Sequence, residues 1–278
     1  VVVAVRPAGL ASLAPASWGR TASASRRGRR AGAAPEASRG SSPEPLRVDG
    51  VTVSFGGRRV VDGMTLAVGP GEVVVLIGPN GAGKTTLFDA VSGFVRLDAG
   101  RISVGARRLD RLAPVRRLGV GCGRTFQSGG LFPRLSLRDN VDLARRWHRL
   151  PGPPADELLA AAGIGSPDRA ASEVPPGTAR TAELVRILAL RPRVLLLDEP
   201  TAGLGRSESE ALMRFVRDAA GGAAVLVIEH DLRVIAGADR VVVMDGGRLL
   251  ASGRPDAIRH DPAVITAYLG PEAPAALR

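Results

Sequence analysis

The segment Gly78-Pro79-Asn80-Gly81-Ala82-Gly83-Lys84-Thr85 decides how the rest of the sequence is interpreted. It fits the pattern G-x-x-x-x-G-K-[ST], in which glycines allow backbone N–H groups to curl around anionic oxygens. An apolar run at residues 72–77 precedes it and predicts a buried strand. Residues 84–93 predict a helix, whose N-terminus adds a partial positive charge. The segment therefore predicts a phosphate-binding loop between a strand and a helix.

The residues that close this loop have distinct expected roles. Lys84 is expected to place a point charge on the β- and γ-phosphates of a nucleotide, and the Thr85 hydroxyl to be a ligand of Mg²⁺. Thr86 follows and completes the expected nucleotide-binding segment. Lys84 is the only lysine among the 38 Lys and Arg residues of the sequence. A chance match to the pattern is expected on the order of 0.002 times at this composition, so a glycine-rich turn that binds nothing is the weaker interpretation.

A second apolar strand is predicted at residues 194–197, and two acids, Asp198 and Glu199, follow it directly. Ligands of parallel sheets bind at the carboxyl ends of the strands, so both acids should face the phosphate-binding loop. Asp198 is then expected to hold Mg²⁺, directly or through water. Glu199 is expected to orient and deprotonate a water molecule for attack on the γ-phosphate. Acids that merely cap the next helix are the alternative.

The remaining segments predict an α/β fold. Residues 48–55 and 60–68 alternate in hydrophobicity on either side of Gly56-Gly57 and predict a hairpin. Further strands are predicted at residues 101–104, 224–228 and 240–244, and helices at residues 136–150, 156–163, 178–190 and 207–220. Strands that alternate with helices indicate a parallel sheet covered on both faces.

The composition argues against several classes of protein. No apolar run approaches the ~20 residues that cross a bilayer, so the chain is expected to be soluble or to dock on a membrane through a partner. The net charge of +11 suits nucleic-acid binding, but much of the excess lies in the first 47 residues and no aromatic platform accompanies it. No nucleic-acid partner is therefore expected. Cys122 is the only cysteine, which excludes an intrachain disulfide and fits a reducing cytoplasm.

The sequence divides into one predicted domain and two extensions. Residues 1–44 are rich in Ala, Ser, Gly, Pro and Arg and have no helical or strand period. We expect these residues to be a disordered basic extension. The simplest explanation for such a segment is that the start site was assigned too far upstream. Residues 45–270 form the predicted domain, with a helical subdomain at about residues 128–190, and residues 271–278 are a tail.

With Glu199-Pro200-Thr201, and with His230 after the strand at residues 224–228, the motifs resemble the ABC transporter nucleotide-binding subunit over about residues 46–269. The resemblance implies a P-loop NTPase of the ABC type, with a mainly parallel sheet core, an antiparallel β subdomain and a short helical subdomain. It also implies ATP and Mg²⁺ as cofactors, a γ-phosphate contact for His230, and a glutamine, Gln127, that reaches Mg²⁺ and moves with the membrane subunit. Phe55 matches the aromatic that stacks on adenine, although a phenylalanine packed in the core is the alternative.

The same resemblance implies the setting in which the chain works. Such an ATPase closes head to tail on a second ABC ATPase subunit, identical or paralogous, and passes conformational work to integral-membrane permease subunits. The expected location is cytoplasmic, peripheral at the cytoplasmic face of the plasma membrane. Residues 124–127 with 131–136, and residues 262–270, resemble the branched-chain amino-acid importers. An exporter ATPase of the lipopolysaccharide-export type, which has a similar tail, and a nucleotide-sensing cassette with weak turnover are the alternatives.

The sequence departs from the family at the signature loop, which typically reads Leu-Ser-Gly-Gly-Gln, often with a proline second in the branched-chain group, and which caps the γ-phosphate bound to the other subunit. Here it reads Val174-Pro175-Pro176-Gly177-Thr178, so only the glycine is retained. The serine hydroxyl and the glutamine are absent, and Pro176 removes an N–H donor. The remaining amides and the dipole of the following helix are still able to bind an anion. We therefore expect a chain that keeps its own phosphate-binding loop but offers its partner a weakened lid.

Overall fold

The computed structural model describes residues 46–125, 130–147 and 153–269. Strands β1 (Leu46–Phe55), β2 (Arg58–Val68), β4 (Ala99–Val104) and β5 (Arg107–Arg108) form an antiparallel sheet in the order β2-β1-β4-β5. Gly56 and Gly57 join β1 to β2 and have φ angles of 56° and 80°. These left-handed angles suit a hairpin turn and cost glycine little. The antiparallel β structure expected from the sequence is thus present.

A second sheet contains the strands that carry the candidate site. They are β3 (Val73–Ile77), β6 (Cys122–Arg124), β7 (Val194–Asp198), β8 (Ala224–Ile228), β9 (Arg240–Asp245) and β10 (Arg248–Gly253). Their order is β10-β9-β3-β8-β7-β6, and every neighbouring pair is parallel except β9 and β10. The carboxyl ends of β3, β8 and β7 therefore lie side by side at one edge of the sheet.

Helices cover both faces of this second sheet. They are α1 (Lys84–Ser92), α2 (Pro114–Gly119), α3 (Leu137–Trp147), α4 (Ala155–Ala161), α5 (Pro176–Leu188), α6 (Arg206–Ala219), α7 (Leu232–Ala236), α8 (Pro255–Arg259) and α9 (Pro262–Leu269), with a 3₁₀ turn at Ala171–Glu173. Val73, Val75 and Ile77 of β3 pack in one core with residues of α3, α4, α5 and α6. Val74 and Leu76 pack in the other core with α1 and the antiparallel sheet. Because side chains alternate along a strand, β3 is held from both sides just before the phosphate-binding loop begins.

The structure corrects several predicted bounds. Helix α5 begins at Pro176 rather than at residue 178, because a proline without an N–H donor is well suited to the first helical position. The predicted helix at residues 136–150 is described as Leu137–Trp147, and residues 148–150 lie outside the described residues. Strands β5, β6 and β10 and helices α2, α7, α8 and α9 were not predicted.

The division of the chain into domains stays a prediction. Residues 1–44 and 271–278 lie outside the described residues, and α3, α4 and α5 fall within the interval predicted for the helical subdomain. In the part of the chain that the structure describes, no helix has both the length and the apolar character of a membrane span.

Candidate active site

The phosphate-binding loop, residues 78–83, requires glycine at two points of close backbone approach. A Cβ atom on Gly78, whose φ is 154°, would lie 2.0 Å from the carbonyl oxygen of Met244. A Cβ atom on Gly83, whose φ is 98°, would lie 2.4 Å from the carbonyl oxygen of Val60. Any side chain at either position would collide with the backbone of β9 or β2, so the motif glycines fit the loop between these strands.

Lys84 is buried at the first position of α1, and its ammonium group binds backbone carbonyl oxygens of the phosphate-binding loop. Its Nζ donates hydrogen bonds to the carbonyl oxygens of Gly78 (2.6 Å) and Pro79 (3.0 Å). Burial lowers the pKa of the Lys84 ammonium group, and the nearby charge of Glu199 opposes that shift. Thr85, the next residue, is exposed, and Thr86 is half-buried. The Lys84 ammonium group is therefore already shielded from water, and its hydrogen-bond partners are uncharged backbone carbonyl oxygens.

Asp198 is the last residue of β7, and only one of its two carboxylate oxygens has a hydrogen-bond partner among the described residues. Its Oδ2 accepts a hydrogen bond from Nη2 of Arg124 at 3.1 Å, whereas its buried Oδ1 has no hydrogen-bond partner among the described residues. Burial raises the pKa of the Asp198 carboxyl group, and Arg124 partly offsets this rise. A buried acceptor without a donor is costly in a protein interior, and a hard cation that prefers oxygen would satisfy it.

Glu199 and His230 meet at the ends of β7 and β8. Nε2 of His230 lies 3.3 Å from Oε1 of Glu199, and the two side chains are 46% and 29% exposed. The backbone N–H of Glu199 donates to the carbonyl oxygen of Ile228 at 3.0 Å. Glu199 has a φ of 46°, a left-handed conformation that is strained for a residue other than glycine and is enriched at functional sites.

A buried glutamate, Glu229, holds the two strand ends together. Its Oε1 accepts hydrogen bonds from the backbone N–H of Thr201 (3.0 Å) and from the Thr201 hydroxyl. Its Oε2 accepts from the backbone N–H groups of His230 (2.9 Å) and Asp231 (3.3 Å). Glu229 therefore joins the turn that follows Glu199 to the turn that carries His230. This role of Glu229 was not predicted from the sequence, although an acid directly after an apolar strand at this edge was a signal.

Two further predicted site residues have different outcomes. Phe55, at the end of β1, is 53% exposed, which argues against the alternative that it packs in the core. Its stacking on adenine stays a prediction. Gln127 lies outside the described residues, as do its neighbours at positions 126, 128 and 129.

The predicted signature loop lies at the start of α5. Pro175 occupies the N-cap position without a capping side-chain hydrogen bond, and Pro176, Gly177 and Thr178 form the first turn. A Cβ atom on Gly177 would lie 2.9 Å from Oε1 of Glu208 on α6. Among the described residues, no hydrogen bond or ion pair joins residues 174–178 to residues 78–86. Gly177 and Thr178 supply the N–H donors of this turn, since both prolines lack one.

The sequence did not indicate that two further residues, Arg124 and Tyr268, lie near the site. Arg124 was quoted only as part of a motif, yet it pairs with Asp198 and with Asp89 of α1. Tyr268 of α9 lies near Gly78, the first residue of the phosphate-binding loop. Burial raises the pKa of the Tyr268 phenol, and a hydrogen bond with the backbone N–H of Gly78 opposes that shift. Both contacts join residues far apart in the sequence, and no local pattern indicates them.

Two family profiles match this chain. The profile described as ABC transporter matches residues 61–202, which contain the phosphate-binding loop, Asp198, Glu199 and the signature segment. The profile described as branched-chain amino acid ATP-binding cassette transporter matches residues 248–270, which span β10, α8 and α9. The two matches cover different parts of the chain and do not overlap.

Relatives and solved structures agree with these profiles. The high-affinity branched-chain amino acid transport ATP-binding proteins LivG of Salmonella typhimurium and BraF of Pseudomonas aeruginosa are each 34% identical to the chain over 248 residues, 81% of this chain and 97% of theirs. The Fe(3+) ions import ATP-binding protein FbpC of Streptomyces avermitilis is 38% identical over 235 residues, 81% of this chain and 67% of its own length. An ATP-binding cassette of an ABC transporter in its ADP conformation superposes with a TM-score of 0.73 at 27% identity, covering 82% of this chain and 100% of that one.

Proposed function

Since the chain belongs to the family of ABC transporter ATP-binding subunits, we propose that ATP hydrolysis around Lys84 and Glu199 drives solute import through integral-membrane permease subunits. The chain is an ABC ATPase, and ATP-binding subunits of this family dimerise and work with membrane permeases. The observation that carries the proposal is the convergence of Lys84, Glu199 and His230 at one edge of the sheet.

In the proposed reaction, residues 78–86 bind the phosphates through backbone N–H groups and the Lys84 ammonium. Lys84 exchanges the carbonyl oxygens of Gly78 and Pro79 for phosphate oxygens, which are stronger acceptors because they are charged. Glu199 orients the attacking water and takes its proton. His230, beside Glu199, contacts the γ-phosphate, and Phe55 stacks on the adenine.

The residues at the carboxyl end of β7 and in the first turn of α1 fit a Mg²⁺ ion. Mg²⁺ usually binds through one or two carboxylates, with waters and substrate phosphates as its other ligands. Oδ1 of Asp198 is a buried acceptor without a donor among the described residues, and the Thr85 side chain is exposed on the first turn of α1. The described residues contain no group of three or more His, Cys, Asp or Glu side chains that could hold a metal. Beyond Asp198 and Thr85, we propose that phosphate oxygens, water and Gln127 are the other ligands. The ion would neutralise charge that develops on the phosphates during transfer.

A branched-chain amino acid is the proposed cargo. Two observations support it: the profile match at residues 248–270 and the 34% identity that extends over 97% of the LivG and BraF proteins. Ferric ion is the competing cargo, because FbpC is 38% identical, although the chain covers only 67% of that protein.

Uptake measurements test the cargo. In cells that lack the gene, we expect the uptake of labelled leucine, isoleucine and valine to fall, and the wild-type gene but not the Glu199→Gln variant to restore it. Uptake of ferric ion should stay unchanged in all three strains. Loss of ferric uptake with normal leucine uptake would assign the chain to ferric import instead.

The proposed partner is a second ATP-binding subunit that supplies an intact signature loop, and the proposed location is peripheral, at the cytoplasmic face of the plasma membrane. The support for an unequal pair is the loss of donors at Pro175 and Pro176, which leaves Gly177 and Thr178 to cap the partner's nucleotide. ATPase assays of the isolated chain and of the chain mixed with a paired subunit test this proposal. Full activity of the homodimer would refute the weakened lid, and complete inactivity of both preparations would favour a nucleotide sensor.

A further inference from the structure

Arg124, the last residue of β6, makes charged contacts with two elements that flank the nucleotide site. Its side chain is only 8% exposed. Nη1 donates hydrogen bonds to Oδ1 of Asp89 (2.6 Å) and to the Ser92 hydroxyl (3.0 Å), both on α1. Nη2 donates to Oδ2 of Asp198 (3.1 Å) at the end of β7. One guanidinium group therefore bridges the helix that begins with Lys84 and the strand that ends in the proposed metal ligand.

Aromatic rings and a strand pairing limit the motion of the Arg124 guanidinium. Its central carbon lies 5.8 Å from the ring centroid of Phe88 and 5.9 Å from that of Phe94. Arg124 also lies opposite Leu196 in the β6–β7 pairing, so its backbone is fixed relative to β7. A planar group held by two rings and two carboxylates has little rotational freedom, which is the property that makes arginine suited to orienting an acid.

The contact between Arg124 and Asp198 leaves the two carboxylate oxygens in different situations. Oδ2 is occupied by the guanidinium, and the buried Oδ1 has no donor among the described residues. The backbone N–H of Asp198 also donates to the Thr125 hydroxyl at 3.2 Å, so the residue is fixed at its main chain as well. With one oxygen anchored, rotation of the carboxylate is restricted and the other oxygen keeps a single direction.

We propose that Arg124 is a positioning residue that fixes the Asp198 carboxylate against α1, so that Oδ1 alone is presented to the nucleotide-bound Mg²⁺. This inference rests on the proposed function, because it assumes that Asp198 receives the ion. Partners that orient metal ligands typically change metal affinity by about 10–100-fold when they are removed. We expect a loss of that size when the bridge is broken.

The experiment measures nucleotide affinity with and without metal, and not turnover. Binding of a fluorescent ATP analogue is titrated in excess Mg²⁺ and in EDTA, and the ratio of the two dissociation constants gives the Mg²⁺ dependence. Mn²⁺ binding followed by electron paramagnetic resonance provides a second readout. We expect Arg124→Met to reduce the Mg²⁺ dependence by about tenfold or more while the affinity in EDTA stays near the wild-type value.

Arg117→Met is the matched control. Arg117 is also a buried arginine bound to α1, where it donates to the carbonyl oxygens of Ala90 (2.5 Å) and Val91 (2.7 Å), and it makes no described contact with Asp198. If both variants lose thermal stability but only Arg124→Met loses Mg²⁺ dependence, the positioning role holds. Equal Mg²⁺ dependence in Arg124→Met, Arg117→Met and the wild type would overturn it.

Two milder variants keep the test decisive if Arg124→Met does not fold. Asp89→Asn weakens the α1 end of the bridge at a side chain that is 31% exposed, and Arg124→Lys keeps the charge but cannot hold both carboxylates through a planar fork. Each should lower the Mg²⁺ dependence several-fold, and wild-type values in both would refute the inference. A wild-type chain with no preference for ATP in Mg²⁺ would instead refute the proposed metal site itself.

Discussion

Replacing Glu199 by glutamine separates the proposed chemistry from the fold. Glutamine keeps the length and shape of the side chain but cannot take a proton from the attacking water. The left-handed backbone at this position, with a φ of 46°, is equally strained for both residues because both carry a Cβ atom. The Glu199→Gln variant therefore isolates the carboxylate.

The Glu199→Gln change should affect the hydrolysis rate much more than the free energy of unfolding. A general base typically contributes about 10²–10⁴-fold, which corresponds to about 3–5 kcal/mol of activation free energy. The contact with His230, at 3.3 Å, joins side chains that water still reaches, and solvent screening limits such a pair to about 0–1 kcal/mol. A loss of that size lowers the melting temperature of a chain of this length by about 2–4 °C at most.

The assay compares phosphate release at saturating ATP and Mg²⁺ with thermal unfolding followed by circular dichroism. We expect Glu199→Gln to lose at least about a hundredfold in kcat, to bind ATP as tightly as the wild type, and to accumulate ATP-bound dimers with the paired subunit in size-exclusion chromatography. Glu210→Gln is the control, because Glu210 is a surface acid that pairs with Arg206 at 3.1 Å on α6. A Glu199→Gln rate within about threefold of the wild type, or an equal loss in the control, would refute the assignment of Glu199 as the base.

Three further changes are expected to act on the phosphate-binding loop and on the signature segment. Lys84→Met removes a charged hydrogen-bond donor that contributes about 1.5–3 kcal/mol, so calorimetric titration should show ATP affinity lowered by roughly ten- to a hundredfold, and unchanged affinity would contradict the role of Lys84. Gly78→Ala would put a Cβ atom 2.0 Å from the Met244 carbonyl oxygen, so ATP binding should be lost even if circular dichroism shows a folded chain; retained affinity would mean that the loop does not need this approach. The triple variant Pro175→Ser, Pro176→Gly and Thr178→Gln should raise the ATPase rate of the homodimer by about tenfold or more, since it restores donors for the transferred phosphate; no gain would show that the weakened lid is not what limits turnover.

Local patterns were sufficient for the parts of the fold that depend on neighbouring residues. The phosphate-binding loop, the buried strands β3, β7 and β8, and the hairpin of β1 and β2 each follow from glycine spacing or from hydrophobic runs. The acids at the end of β7 were found for the same reason, because a parallel sheet brings the carboxyl ends of its strands to one edge.

Other parts of the site were not predictable, because they depend on contacts between distant residues. Arg124 meets Asp89 and Asp198 across 35 and 74 residues of sequence, and Glu229 meets Thr201 across 28. Strand β10 was missed for a different reason. Most of its residues are exposed, and its Leu249 and Leu250 give no alternating pattern.

Because Lys84 is the only lysine of the sequence, its ammonium group is a single target for lysine-directed chemistry. No other lysine exists in the sequence, so reagents that acylate lysine side chains, and proteases that cleave after lysine, have one target there. That target is held by two carbonyl oxygens inside the loop, and a bound nucleotide would engage the same nitrogen. Mass spectrometry of labelling at Lys84 therefore reports nucleotide occupancy at a single side-chain atom of this sequence, without any engineered probe.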